Sequence, residues 1–240
     1  MLHKTRGIVL KTTDYAENSV IIQVFTEKFG IQSYIINGVK KPKARIKQNI
    51  LQPLYLLDLV VYHKPLGNVQ RVSEIKPFYV FQSIPYDIRK SSIALFLNEV
   101  LYRSVKQQSA DQQLFDFVFN SIELFDRIEK GVSVFHLYFL LHLSRYLGFY
   151  PEMSNSKAPY FDLKEGIFSD ILPKHPLVVR GRETQLWVQL LNGTFERLTE
   201  VKISTSEKRV VLNHILDYYR LHVEGLPEIN SYKILADVLS

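Results

Sequence analysis

From residue 5 to about residue 76 the apolar positions recur with a period of two, in short runs of β-branched and aromatic side chains broken by turn residues, which predicts strands. In Ser19–Thr26, Val20, Ile22 and Val24 share one face. Glu27-Lys28-Phe29-Gly30 follows as a hairpin turn in which Gly30 is free to take positive φ, and residues 31 to 37 return as the next strand. Gly38 and Pro42 interrupt regular structure; residues 51 to 63 then read as a long extended run, 64 to 68 as a turn and 69 to 76 as one more strand. Five short strands are too few for a two-sheet sandwich and fit a small closed or nearly closed barrel. The OB-fold is the commonest such module, and it often binds oligonucleotides.

Beyond Pro77 and Pro85 the period changes to that of a helix. Residues 87 to 107 carry Ile88, Leu95, Leu97, Val100, Leu101 and Val105 at spacings suited to an amphipathic helix. Asp111 caps a second helix running to about residue 130, with Leu114, Phe115, Val118, Ile122 and Phe125 inward. A third opens near Ser133 and is apolar on most sides, which predicts a central position; Gly148 and Pro151 stop it. Residues 153 to 176 do not suit a helix, and Tyr160 to Phe168 reads as a small β-hairpin inserted between helices. Two or three helices close the chain, the clearest starting near Ser206 and ending at Gly225. The expected fold is α+β: a five-stranded OB-fold barrel over residues 1–80, then an all-α helical domain over 81–240 with the hairpin insert near 153–176.

Charge sharpens this division. Residues 1–80 hold 12 Lys and Arg against 5 Asp and Glu, a formal +7, whereas residues 81–240 are formally −1. Five cations, Lys40, Lys41, Lys43, Arg45 and Lys47, fall within eight residues just after the hairpin. A small module with converging cations gains affinity for a polyanion by releasing counterions from phosphates. Lys4, Arg6, Lys11, Lys28, Lys64, Arg71 and Lys76 share this module, interleaved with Tyr15, Phe29, Tyr34, Tyr55 and Tyr62. A single-strand-binding barrel pairs a cationic groove with stacking platforms, yet a barrel this small also needs large side chains in its interior, so most of these aromatics are expected in the core. The candidate phosphate-contacting residues are therefore Lys40, Lys41, Lys43, Arg45 and Lys47 first, then Lys11, Arg6, Lys28 and Arg71. With no base-reading element, they are expected to grip nucleic acid without choosing a sequence.

Other chemistries find no support. The chain has no cysteine, which excludes disulfides, thiolate zinc ligation and thiol catalysis. His136 and His142 are six apart and point to different faces of a helix, and no phosphate-binding, dinucleotide-binding or serine-elbow motif occurs. No catalytic residue, metal site or cofactor is assigned. There is no signal-peptide pattern, and the longest apolar stretch, 132 to 149, is interrupted by His136, His142, Ser144 and Arg145, so no membrane association is expected.

Several segments together resemble the RecO family of bacterial recombination and repair proteins. Gly7-Ile8-Val9-Leu10-Lys11 through Asp14-Tyr15-Ala16-Glu17-Asn18-Ser19 is similar to the family's opening strand, Val24-Phe25-Thr26-Glu27-Lys28-Phe29-Gly30 to its first hairpin, and Gly38-Val39-Lys40-Lys41-Pro42-Lys43-Ala44-Arg45 to its basic loop. Tyr146-Leu147-Gly148-Phe149-Tyr150-Pro151 and Tyr218-Tyr219-Arg220-Leu221-His222 resemble two further segments, so the likeness spans nearly the whole chain. It implies a non-enzymatic, cytoplasmic protein, nucleoid-associated during repair, that binds single- and double-stranded DNA and anneals complementary strands. It also implies partners: RecR, with which RecA is loaded, and the acidic, hydrophobic C-terminal tail of single-stranded DNA-binding protein, docked on the helical domain. The chain departs from the pattern in one place. Many members carry four zinc-binding cysteines in the insert; here apolar packing of Tyr160, Phe161 and Phe168 is expected instead. An OB-barrel protein acting on RNA, or a protein-interaction scaffold, remain the alternatives.

Overall fold

The computed structural model describes residues 1–64, 67–106 and 108–239, apart from the side chain of Glu196. The expected turn at 64–68 and the expected helix end at 107 thus lie partly outside the described residues. The chain forms two compact units, the first Met1–Arg127 and the second from Ile128 onward.

In the first unit β1 (Leu2–Tyr15), β2 (Ser19–Thr26), β3 (Gly30–Ile36), β4 (Leu56–Tyr62) and β5 (Gln70–Pro77) close a barrel in the order β1-β2-β3-β5-β4. This is the OB-fold expected from the strand pattern. Strand β1 serves both sides of the closure: its first half pairs with β4, from Leu2↔Tyr62 to Ile8↔Leu56, and its second with β2, from Gly7↔Thr26 to Tyr15↔Ser19. An irregularity between Val9 and Lys11 bends it from one partner to the other. Gly7 sits at the bend, where a Cβ would lie 2.5 Å from Val24 Cγ1 and 2.9 Å from Leu59 Cδ1. Closure is completed by two parallel pairs, Tyr34↔Gln70 and Ile35↔Arg71. Inside lie Val9, Val20, Ile22, Val24, Tyr34, Ile36, Leu57, Leu59 and Val61, the alternate residues of four strands.

The extended run expected from residue 51 begins later. Leu51 ends a 3-10 turn, Gln48–Leu51, and Leu54 takes a left-handed φ of 64° so that its N–H can donate to Val9 O at 2.7 Å. Helices α1 (Ile88–Ser104) and α2 (Gln112–Arg127) complete the unit, capped by Asp87 and Asp111. Of the expected face of α1, Leu97, Val100, Leu101 and Val105 are buried, but two positions depart from it. Ile88 and Leu95 are 69% and 42% exposed, while Lys90 and Asn98 are buried. The polar pair earns its place through hydrogen bonds: Asn98 Nδ2 donates to Leu10 O at 3.0 Å, and Lys90 Nζ to Asp126 O at 2.8 Å.

In the second unit α3 (Val132–Tyr146) is buried on nearly all sides, in keeping with its composition. The insert forms β6 (Tyr160–Asp162) and β7 (Ile167–Ser169), the expected hairpin, and gains a third strand from β8 (Val178–Arg180), in the order β7-β6-β8. Phe161 is fully buried, with ring centroids 4.8 Å from Phe168 and 4.7 Å from Trp187. Helices α4 (Arg182–Asn192), α5 (Thr205–His222) and α6 (Ser231–Val238) follow, and a capping box of Ser204 and Glu207 starts α5.

Candidate nucleic-acid interface

The basic run occupies the connection between β3 and β4, and its hydrophobic residues explain its shape. Val39 is buried in the barrel core, Ile46 and Ile50 pack partly against it, and Leu51 is fully buried. Between these anchors Lys41 N–H donates to Gly38 O at 3.3 Å and Ala44 N–H to Lys41 O at 3.0 Å, giving two successive turns. Gly38 takes φ 75° at the first, a value that suits glycine. The loop is thus amphipathic over a few residues: apolar pins underneath, and Lys40, Lys41, Lys43, Arg45 and Lys47 exposed above.

The nine candidate residues do not form one cluster. Lys40 Nζ meets Asp14 Oδ1 of β1 at 2.9 Å, tying the loop to the end of that strand. Arg45 and Ile46 line a groove with Lys4, Asp58, Glu74 and Lys76, on the side of β4 and β5. Arg71, exposed at the start of β5, pairs with Ile35 of β3, one residue before the end of that strand, and so stands at the base of the loop. Lys11 lies farther along β1, with Nζ 3.2 Å from Tyr102 Oη of α1 and over its ring. Lys28 is exposed in the β2–β3 turn, at the far end of β3 and about 20 Å from the loop along the strand.

Arg6 is placed differently. Its guanidinium contacts Glu27 Oε1 at 2.9 Å and Asp116 Oδ1 at 3.0 Å, and lies over the rings of Phe115 and Phe119. The hydrogen bond from Arg6 holds the Glu27 carboxyl below its ordinary range, against the opposing effect of burial. This side chain joins the barrel to α2, and its charge is already balanced. By contrast, no carboxylate forms an ion pair with Lys41, Lys43, Arg45, Lys47, Lys28 or Arg71 among the described residues.

Aromatic positions divide as barrel filling requires. Tyr34 is fully buried, and Phe29 and Tyr55 are partly buried, whereas Tyr15 and Tyr62 are 52% and 46% exposed. Tyr15 ends β1 beside Asp14, the partner of Lys40, and Tyr62 pairs with Arg71, so both exposed rings flank the loop. A shallow cleft there is lined by Tyr62, Lys64, Val69, Gln70 and Arg71. Lys64 belongs to this end but is absent from the nine candidates. Its signal in the sequence was weak, a single lysine beside a turn, and Gln70 brings it in: Gln70 Oε1 accepts from Lys64 N–H at 3.2 Å.

The insert, for which the resemblance implies zinc in many members, offers no fitting donor set. Asp162 Oδ2 and His175 Nε2 lie 3.1 Å apart, but among the described residues no three His, Cys, Asp or Glu side chains converge on a common point. Its interior holds Phe161 and Phe168 instead, with Phe161 packed on Trp187 of α4.

A five-stranded OB barrel bearing a pinned loop of largely unpaired cations, followed by a helical unit with a small sheet, defines a class of two-part barrel proteins. Comparison with known proteins specifies it further. Residues 1–81 match the family model "Recombination protein O N terminal" and residues 85–230 match "Recombination protein O C terminal". Relatives named DNA repair protein RecO are 36% identical in Azobacteroides pseudotrichonymphae over 99% of both chains, and 33% in Phocaeicola vulgatus over 100% of both. One from Bacteroides fragilis is 35% identical over 99% of both. The chain belongs to the RecO family.

Proposed function

We propose that this protein acts in DNA repair and recombination by binding DNA through the barrel end that carries residues 40–47, and that it anneals complementary strands. The observation that carries this reading is the loop itself: apolar pins hold it against the core while its cations remain largely unpaired. Annealing requires two phosphate backbones to approach each other, and a cationic surface with no base readout supplies what that step needs. Lys41, Lys43, Arg45, Lys47 and Arg71 are assigned to phosphates, with Lys40, Lys28, Lys11 and Lys64 nearby; Arg6 is assigned to holding α2. Residues 1–80 form the DNA-binding domain in this reading, and 81–240 the partner-binding domain.

Family membership supports the remaining roles: no bond-making chemistry, loading of RecA together with RecR, and docking of the single-stranded DNA-binding protein tail. A small cavity of about 30 Å³ in the second unit, lined by Lys208, Arg209, Leu212, Tyr232, Leu235 and Leu239, carries the basic and apolar chemistry that such a tail would meet. No helix among the described residues is long and apolar enough to cross a membrane. The deciding experiment is annealing of complementary oligonucleotides by the purified protein without nucleotide or metal. Acceleration supports the reading, and annealing no faster than the spontaneous rate rejects it. Binding RNA as tightly as DNA of the same sequence would favour an RNA role instead.

A further inference from the structure

Away from the basic loop, three rings gather on the barrel surface. His63, just after β4, stacks on Phe29 of the β2–β3 turn with centroids 3.9 Å apart and planes 13° from parallel. His3 of β1 meets Phe29 edge-on at 5.3 Å and His63 at 6.3 Å. All three are partly exposed. Their surroundings are cationic: exposed Lys28 precedes Phe29, Lys64 follows His63, Lys4 follows His3, and the chain's amino terminus is drawn in by the hydrogen bond from His63 N–H to Met1 O at 3.3 Å. Of the carboxylates on these elements, Glu27 is held by Arg6, and Asp58 of β4 lines a groove with Lys4 and Glu74 on the side of β4 and β5. Tyr62 and Arg71 of the adjoining β4 and β5 continue the same surface toward the loop at 37–47.

We propose that the His3–Phe29–His63 row is a second contact for single-stranded nucleic acid, in which a base extends the stack on His63 while His63, once protonated, joins Lys28 and Lys64 against the phosphates. The inference rests on the nucleic-acid reading above. Every base has a face to stack, so such a platform needs no sequence, and histidine is the ring that gains charge near neutral pH. In the free protein the surroundings of His63 favour its neutral form. Partial burial, then His3 and the amino terminus, push the His63 imidazole below its ordinary value, and His63 Nδ1 is buried without a hydrogen-bond partner among the described residues. A phosphate beside it reverses that balance. Its imidazole pKa then rises on binding, and the sign follows: the gain in affinity is complete below the free-state pKa and is lost as pH rises through the higher bound-state value. The row would also bridge the gap of about 20 Å between Lys28 and the basic loop, turning separate cations into one track.

The test is oligonucleotide affinity between about pH 8 and about pH 5.5 for the wild-type chain, His3→Gln/His63→Phe and His3→Gln/His63→Gln. Wild type should tighten as pH falls, on the order of tenfold if binding raises one imidazole by about one unit. The His63→Phe pair keeps the stack and should bind like wild type at high pH without tightening; the His63→Gln pair should be weaker throughout. Equal pH dependence in wild type and His63→Phe overturns the inference but leaves the loop reading intact. No binding by wild type at any pH overturns the reading on which it rests. Should the variants unfold, titrating the wild-type imidazoles by NMR decides the matter: an oligonucleotide must raise the His63 pKa, and an unmoved value rejects the contact.

Discussion

Gly7 and Arg6 are neighbours in sequence with opposite legibility. A glycine inside a strand signals a close approach, and the structure supplies its cause, Val24 and Leu59 against the bend of β1. Gly7→Ala is expected to cost about 1–3 kcal/mol through overpacking, read as a lower urea midpoint, with little change in the affinity of the folded fraction for DNA. Arg6, read from sequence alone, is one more cation in a basic module. Its second partner, Asp116, lies far along the chain on α2, and no local pattern marks such a pairing. Arg6→Ala is therefore expected to lower stability by about 1 kcal/mol, since the pair is partly exposed, and to leave the salt dependence of DNA binding unchanged. An oligonucleotide titration at several salt concentrations checks the second half.

Among the elements, the connector between β5 and α1 is the clearest case of a boundary that was legible and a fastening that was not. Pro77 and Pro85 bracket it, as their restricted backbones suggest. What holds it is Asp126 at the end of α2, whose carboxylate accepts from the N–H groups of Gln82, Ser83 and Ile84 and from Tyr79 Oη, at 2.7 to 3.1 Å. Lys90 Nζ completes the clasp through Ser83 Oγ at 2.6 Å and Asp126 O at 2.8 Å. Burial pushes the Asp126 pKa up, but the hydrogen bonds outweigh it and hold the group below the ordinary carboxylate range. The stability it contributes is fully present above the ordinary value near 3.9 and is lost as pH falls through the lower folded value. Asp126→Asn is expected to cost about 3 kcal/mol at neutral pH and to flatten the acid limb of a stability-against-pH curve. The outward turn of Ile88 and Leu95 on α1 has the same origin: buried polar partners set the rotation of a helix, and apolar spacing alone does not reveal them.

For the whole molecule, the strand and helix periods, the charge division and the basic loop gave the architecture, because each is a local pattern. The barrel's closing pairs, the third strand of the insert and the dispersal of the nine candidates depend on long-range register and were not visible in that way. Replacing Lys40, Lys41, Lys43, Arg45 and Lys47 together by alanine is expected to abolish annealing while leaving the unfolding transition near that of wild type. The pins Val39, Ile46 and Ile50 remain in the variant, and circular dichroism on heating checks that the fold does. If about four phosphates are engaged on a single strand, the logarithmic salt slope is near −2.8, and a fourfold rise in salt weakens binding about 50-fold. A flat salt response would remove the loop from the interface.

The closure of the barrel through only Tyr34↔Gln70 and Ile35↔Arg71 has a dynamic consequence. Two rungs make the seam between β3 and β5 the place where the barrel opens at least cost, so its amide protons exchange with solvent sooner than those of the long β1–β2 ladder. Arg71 sits on that seam, and the cationic loop begins one residue beyond the end of β3. In the proposed binding mode a strand held by both would span the weakest rungs, so DNA is expected to brace the fold, slowing amide exchange at the seam and leaving the rest of the barrel unchanged.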